Sequence, residues 1–197
     1  MSALFAALTA AVQTSFTADT KAGSTTLSNP STTSGLFVGL PVFGGSVPSG
    51  SVITSLSPLT LSLAPTANAR AAELSTGFQT AGRRVIPWTE VAAQPALFLR
   101  SVEEEVDYPS TVLQRLTMKA EVFIYSRAGD DPDAVPETAL NNLLDALQAA
   151  FAPDAMTQMY TIGGVVEWCR IAGKITKDTG DLDGQALAVF EVEISVP

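Results

Sequence analysis

RVIPWTEVAAQPALFLRSVEEEVDYPSTVLQRLTMKAEVFIYSR, residues 84–127, decides the fold. Pro87-Trp88 opens it: the proline takes the residue before it out of the helical region, and the tryptophan aims a large amphipathic ring at whatever packs below. From Pro95 onward, Ala96, Leu97, Phe98 and Leu99 make a short continuous apolar run, the pattern of a strand covered on both faces. Glu103, Glu104, Glu105 and Asp107 are predicted to end that strand, because a run of like charge can be neither buried nor closely paired. After the turn-favouring pair Tyr108-Pro109, the residues Leu116, Met118, Ala120, Val122 and Ile124 alternate with Thr117, Lys119, Glu121, Phe123 and Tyr125. That period of two predicts a long strand. Nothing in the stretch looks catalytic; it reads as a sheet built to be placed against copies of itself.

Downstream, the loop AGDDPDAVP carries Asp130, Asp131 and Asp133. Pro136 and Glu137 then open a helix in which Leu140, Leu143, Leu144, Leu147 and Phe151 form one apolar stripe, which must lie on the sheet. Pro153 stops it. Two strands are predicted to finish the chain, 165–174 and 185–196, joined through DTGDLDG as a hairpin with an extended tip. Upstream, residues 2–14 are predicted as a first helix capped by Ser2, with Leu4, Phe5, Leu8, Ala11 and Val12 on one side. Composition then changes: more than a third of residues 14–80 are serine or threonine, and charge almost vanishes. Apolar clusters recur there between turn residues, so residues 24–80 are expected to form a small β-module, not a linker. The expected class is α+β: a mostly antiparallel sheet with two packed helices over 1–16 and 83–197, plus the inserted all-β module.

A chain of 197 residues is long enough for a real core. No apolar run is of membrane-spanning length and no basic region precedes the N-terminal apolar residues, so neither anchor nor signal peptide is expected, and synthesis in the cytoplasm is. Cys169 stands alone and histidine is absent, which removes a disulfide framework, a cysteine-built zinc site and the commonest general base. The net charge is −9. Residues 1–82 contribute nothing to it, since Asp19 and Glu73 balance Lys21 and Arg70, so the whole excess lies in 83–197. Such a surface repels nucleic acid or lets it slide past.

Candidate constellations are weak. Asp178, Asp181 and Asp183 with Gly180 and Gly184 resemble part of a calcium loop, yet the alternation and closing glutamate of an EF-hand are missing, so a solvated hairpin tip is expected and no metal. Glu103–105 and Asp107 could offer a carboxylate pair, but consecutive strand residues point to opposite faces. Cys169, beside Trp168, reads as a small core residue. Arg83-Arg84 is too small for a nucleic-acid patch and is expected to pair with an acidic loop across a subunit contact. No cofactor motif is present.

Taken in order, RRVIPWTEVAAQPALFLRSVEEEV, EVFIYSRAGDDPDAVPETALNNLLDALQAAF and IGGVVEWCRIAGKITKDTGDLDGQALAVFEVEISVP resemble tail terminator proteins of long-tailed bacteriophages. The likeness covers 83–197, with 1–16 more weakly; residues 17–82 depart from it, since proteins of this kind run directly from helix to sheet. Within the departure, VGLPV, GGSVPSGSVITSL and LTLSLAPTA resemble a β-module that decorates viral tail and capsid proteins. The resemblance implies a virion structural protein, not an enzyme. It would form a homohexameric ring on the head-proximal end of the tail tube, contacting the tube protein and the head-tail connector or neck proteins, with genomic DNA passing through unbound. Arg83, Arg84, Glu103, Glu104, Glu105, Asp107, Asp130, Asp131 and Asp133 are then candidates for subunit contacts or the lumen. The alternatives are a neck or tail-completion protein on the portal side, or a virion-surface adhesion or binding module built on the Ser/Thr-rich segment.

Overall fold

The computed structural model describes residues 1–108, 114–127, 137–154, 156–162, 164, 166–180 and 184–196. In chain order the elements are α1 (Ser2–Ala10), β1 (Ser15–Thr20), β2 (Val42–Phe43), β3 (Ile53–Leu56), β4 (Leu59–Leu61), β5 (Ala69–Thr76), β6 (Thr80–Gly82), a 3₁₀ turn (Trp88–Glu90), β7 (Ala96–Asp107), β8 (Arg115–Arg127), α2 (Thr138–Ala150), β9 (Trp168–Asp178) and β10 (Gln185–Val196). Among the described residues the chain is mixed α and β, with two α-helices and mostly antiparallel sheets.

The main sheet has the order β6-β7-β8-β10-β9. Its long antiparallel pairs set Val122 opposite both Leu99 and Phe190, and Ile194 opposite both Met118 and Cys169. Alternate residues of β8 and β10 are therefore buried on the face that meets α2, where Leu140, Leu143, Leu144 and Leu147 pack as the helical stripe requires. The apolar run Ala96–Leu99 is buried on both faces, as its composition predicts. Among the described residues the second face is covered at that end alone: Val85, Ile86 and Val91 pack on Ala96, Phe98 and Tyr125. There the Phe98 and Tyr125 rings meet edge to face at 5.8 Å, and the Tyr125 hydroxyl donates to the Ile86 carbonyl at 3.2 Å. Trp88 does not pack below the turn as expected. The residue is 43% exposed, and Val85, Ile86 and Val91 do the covering instead.

β7 does not stop at its acidic run. It continues to Asp107, with Glu103 opposite Lys119 and Asp107 opposite Arg115. The penalty for burying or crowding like charge does not arise, because residues 100–107 all stay in water, Glu103 and Asp107 face cations across the pair, and Glu104 and Glu105 face Met118 and Thr117. Other boundaries shift as well. β9 runs to Asp178, beyond the predicted 174. α1 ends at Ala10, and Met1, not Ser2, takes the N-cap position without a side-chain cap. Past Ala10 the chain leaves the helix through a turn at Ala11 and Val12 and is tied to β5 before β1 begins: the Thr76 hydroxyl donates to the Val12 carbonyl at 2.9 Å, and the Thr14 N–H donates to that hydroxyl. Ser2 accepts a hydrogen bond from Arg83 instead, at 3.1 Å.

The Ser/Thr-rich segment is β-structured from Ser15, earlier than the expected residue 24. β5 lies between β1 and β2 in one sheet, and β3 pairs with β4 in a hairpin. Its buried residues, Leu40, Ile53 and Leu61 among them, belong to the same continuous core as Leu4, Leu8, Leu140, Val122 and Phe190. At the junction, Asn142 donates to the Val38 carbonyl at 3.0 Å. Gly39, at φ +91°, lies so close that a Cβ there would stand 2.7 Å from the Ala139 Cβ. Only glycine permits that approach with that backbone.

Candidate assembly surface

Past the apolar cover of residues 85–91, the second face of the main sheet is laid out in charged rows. Glu103, Lys119, Glu193 and Arg170 stand opposite one another across β7, β8, β10 and β9, alternating in sign over four strands. Lys119 meets Glu103 at 2.9 Å, and Arg170 meets Glu193 at 2.7 Å. The hydrogen bond that Lys119 donates to Glu103 and the charge of that carboxylate, with Glu191 and Glu193 behind, hold the Lys119 ammonium above the ordinary lysine range. In the next row Arg100 pairs with Glu121 while its guanidinium lies 5.4 Å over the Phe123 ring. Arg170 stacks likewise at 5.3 Å over Trp168. Arg115 reaches Glu167 at 2.9 Å, and Glu167 also accepts from the Ser195 hydroxyl at 3.0 Å.

This pattern is what cross-strand pairing does with charged residues of one face, and it lets a broad sheet surface remain in water without an apolar cover. Of the acidic residues selected from sequence, Glu103, Glu104, Glu105 and Asp107 thus lie on one strand, and the structure adds the cations that sequence reading passed over: Arg100, Arg115, Lys119 and Arg170. Period two had already placed Lys119 on the same face as Phe123, but its partner Glu103 becomes visible only with the β7–β8 register. Glu104 falls opposite Met118, on the other side of the strand from Glu103 and Glu105, so the carboxylates share no pocket. Arg83 and Arg84 are exposed, and Arg83 is engaged with Ser2 of its own chain. Asp130, Asp131 and Asp133, like Asp181 and Asp183, lie outside the described residues.

Two cavities flank the sheet. A groove of about 710 Å³ runs beside β9, with Phe151, Tyr160, Ile171 and Ile175 in its walls. A larger cavity of about 920 Å³ lies where the Ser/Thr-rich segment meets the sheet, beside Trp88, Thr54, Gln94 and Gln185. Among the described residues no cluster of three or more acidic, cysteine or histidine side chains could hold a metal. Cys169 is fully buried in the core, and burial pushes its thiol up to about 12, far from nucleophilic use. No described helix is long and apolar enough to cross a membrane. In comparison with known proteins, no family model matches the chain and no curated protein matches it.

Proposed function

We propose that this chain is a virion structural protein, a ring-forming tail terminator that closes the head-proximal end of a phage tail tube and presents a surface for head-to-tail joining. The observation that carries the reading is the order hairpin, helix, hairpin across β7, β8, α2, β9 and β10, the same stretches on which the resemblance rests. These elements bury one sheet face under the helix and leave the other open and charged. On that open face carboxylates outnumber cations, which suits a channel wall that DNA phosphates slide past. Capping is then a matter of geometry. One ring face would mimic a tube subunit and bind the last ring, while the other lacks the complement needed to add a further one. In this reading the protein is made in the host cytoplasm, works without a cofactor, and performs no catalysis.

The test is the mass of the purified protein, alone and mixed with tail tubes, with the tube ends imaged. A sixfold ring at one tube end alone is the expected result. A chain that stays monomeric and ignores tube ends overturns the proposal.

One observation favours a second reading, a virion-surface binding module. The half-exposed Trp88 overlooks the larger cavity beside uncharged Thr54, Gln94 and Gln185, and an aromatic ring with amides and hydroxyls is a sugar-contacting composition. Trp88→Ala separates the two: loss of attachment with rings intact supports the binding module, and unchanged attachment dismisses it.

A further inference from the structure

Among the described residues the main sheet ends without a partner on both sides. On one side β6 pairs only with Ala96, Leu97 and Phe98, so the outer edge of β7 is open along 100–107. On the other side the Cys169 N–H is taken by the Tyr160 carbonyl at 2.6 Å, and the outer edge of β9 is open from 171 to 178. Open edges invite pairing with another chain, and native proteins either block them or use them.

Three features make these edges complementary. Their charges are opposite: the β7 arm carries Glu103, Glu104, Glu105 and Asp107 against Arg100, while β9 carries Arg170, Lys174 and Lys177 against Asp178. Their apolar features also match. Val102 and Val106 on the arm are 51% and 44% exposed, and the groove along β9 is walled by Phe151, Ile171 and Ile175. The third feature is direction. Every step from β7 through β8 and β10 to β9 is antiparallel, so β7 and β9 run opposite ways. A second copy placed beyond β9 in the same orientation, and slid along the strands so that its β6 clears the 176–178 end of β9, brings its β7 arm alongside 171–178 as an antiparallel neighbour.

We infer that the β7 arm of one copy adds to the β9 edge of the next, head to tail, with Val102 and Val106 delivered toward the β9 groove and the arm's carboxylates toward Lys174 and Lys177. Such a contact is heterologous, so it closes into a ring when the rotation per copy divides the circle. Like charge disfavours the two self-pairings, arm on arm and β9 on β9, which leaves the head-to-tail joint as the one allowed. The inference deepens the ring reading and rests on it for closure.

The experiment uses two charge reversals in the full chain, Glu104→Lys with Glu105→Lys on the arm, and Lys174→Glu with Lys177→Glu on β9. All four side chains are exposed, and a thermal melt checks that each variant folds. Glu103 is left alone because it holds Lys119. Light-scattering mass is read for each variant alone and for the equimolar mixture. Each variant alone sets like charge against like, and association weakens by about tenfold or more. In the mixture every joint is again opposite in sign, and assembly returns. If both variants assemble as the unaltered chain does, the joint is elsewhere and this inference is overturned while the ring reading stands. Failure of the mixture to recover overturns it as well. An unaltered chain that is monomeric even with tail tubes sinks both. Should a variant melt early, zero-length carbodiimide cross-linking of the unaltered protein decides: links between copies from Lys174 or Lys177 to the arm carboxylates support the joint, and links elsewhere alone refute it.

Discussion

Gly39→Ala tests whether the Ser/Thr-rich segment is part of the body of the protein. The glycine sits at φ +91°, and an added Cβ would meet the Ala139 Cβ at 2.7 Å and its Cα at 3.2 Å. Both atoms belong to the first turn of α2 and cannot swing aside as the tip of a long side chain would. Placing a Cβ in the left-handed region costs about 1–2 kcal/mol, and forcing it against a packed helix adds about 1–3 kcal/mol. A loss near 3 kcal/mol would lower Tm by about 6–12 °C in a chain of this length. The assay is thermal and urea unfolding followed by far-ultraviolet circular dichroism and by fluorescence of Trp88 and Trp168. Because Leu40 and Ile53 share one buried cluster with Leu140 and Phe190, the two probes should shift together. Ala139→Gly in the same chain should recover the contact part of the loss and leave the backbone part. A change below about 1 kcal/mol, or two transitions of which one is untouched, would refute a shared core at this junction.

Leu143→Ala, at a fully buried position of the α2 stripe, should cost about 2–5 kcal/mol by urea unfolding, while Leu63→Ala at a half-exposed site should cost far less; equal losses would mean that the stripe is not what holds α2. Cys169 should resist a thiol reagent at about pH 8 until the protein unfolds, since burial raises its thiol to about 12; fast labelling of the native protein would contradict the packing around it. Asp19 accepts the Ala71 N–H and an Asn29 amide hydrogen, each at 2.8 Å. Those bonds, the Ala71 one foremost, together with the Arg70 charge, hold its carboxyl below the ordinary 3.8. Its folded value therefore lies below its unfolded one, so the contribution is full above about 3.8 and fades as pH falls through the lowered value. The stability gap between the native chain and Asp19→Asn should accordingly stay constant above about pH 3.8 and narrow as the pH falls below it; a gap independent of pH would refute the assignment.

The parts of the fold legible in sequence are those where a short period meets a single burial face. β8 and β10 alternate without interruption, and α2 carries its leucines at helical spacing, so nearest neighbours in sequence report the environment. What escaped depends on partners far along the chain. The continuation of β7 through its acids requires Lys119 and Arg115 from the next strand, and charge alone pointed the other way. β6 is three residues long and has meaning only beside β7. The first strand of the Ser/Thr-rich segment was missed because its partner β5 lies some fifty residues on. Trp88 was misplaced because a ring beside a proline says nothing about which side of the turn the sheet will occupy. Of the candidate surface, the carboxylate half could be read directly, since like charges cluster in sequence. The cationic half is spread over three strands, β7, β8 and β9, and comes together only through register.

That distribution explains how a sheet with two open edges avoids indiscriminate pairing. A flat apolar edge would accept any strand, including a second copy of itself in either direction. Here the β7 arm concentrates negative charge on its exposed length, and the matching length of β9 concentrates positive charge beside an apolar groove. Opposite charge alone would be a weak and easily screened preference. Coupled to backbone pairing it acts as a filter, because the hydrogen bonds and valine contacts form only when the strands lie side by side, and the charges decide which strands approach. The ladder on the open face has a related effect. By engaging Glu103 with Lys119 and Glu193 with Arg170 inside each copy, it leaves Glu104, Glu105 and Lys174 outside those ion pairs; Lys177, which donates to Asn141 of α2 at 2.7 Å, is likewise no part of the ladder. The residues that stabilise the sheet and the residues assigned to the joint are thus largely separate sets on the same strands, and for that reason reversing the second set should change assembly while the melt of the single chain stays in place.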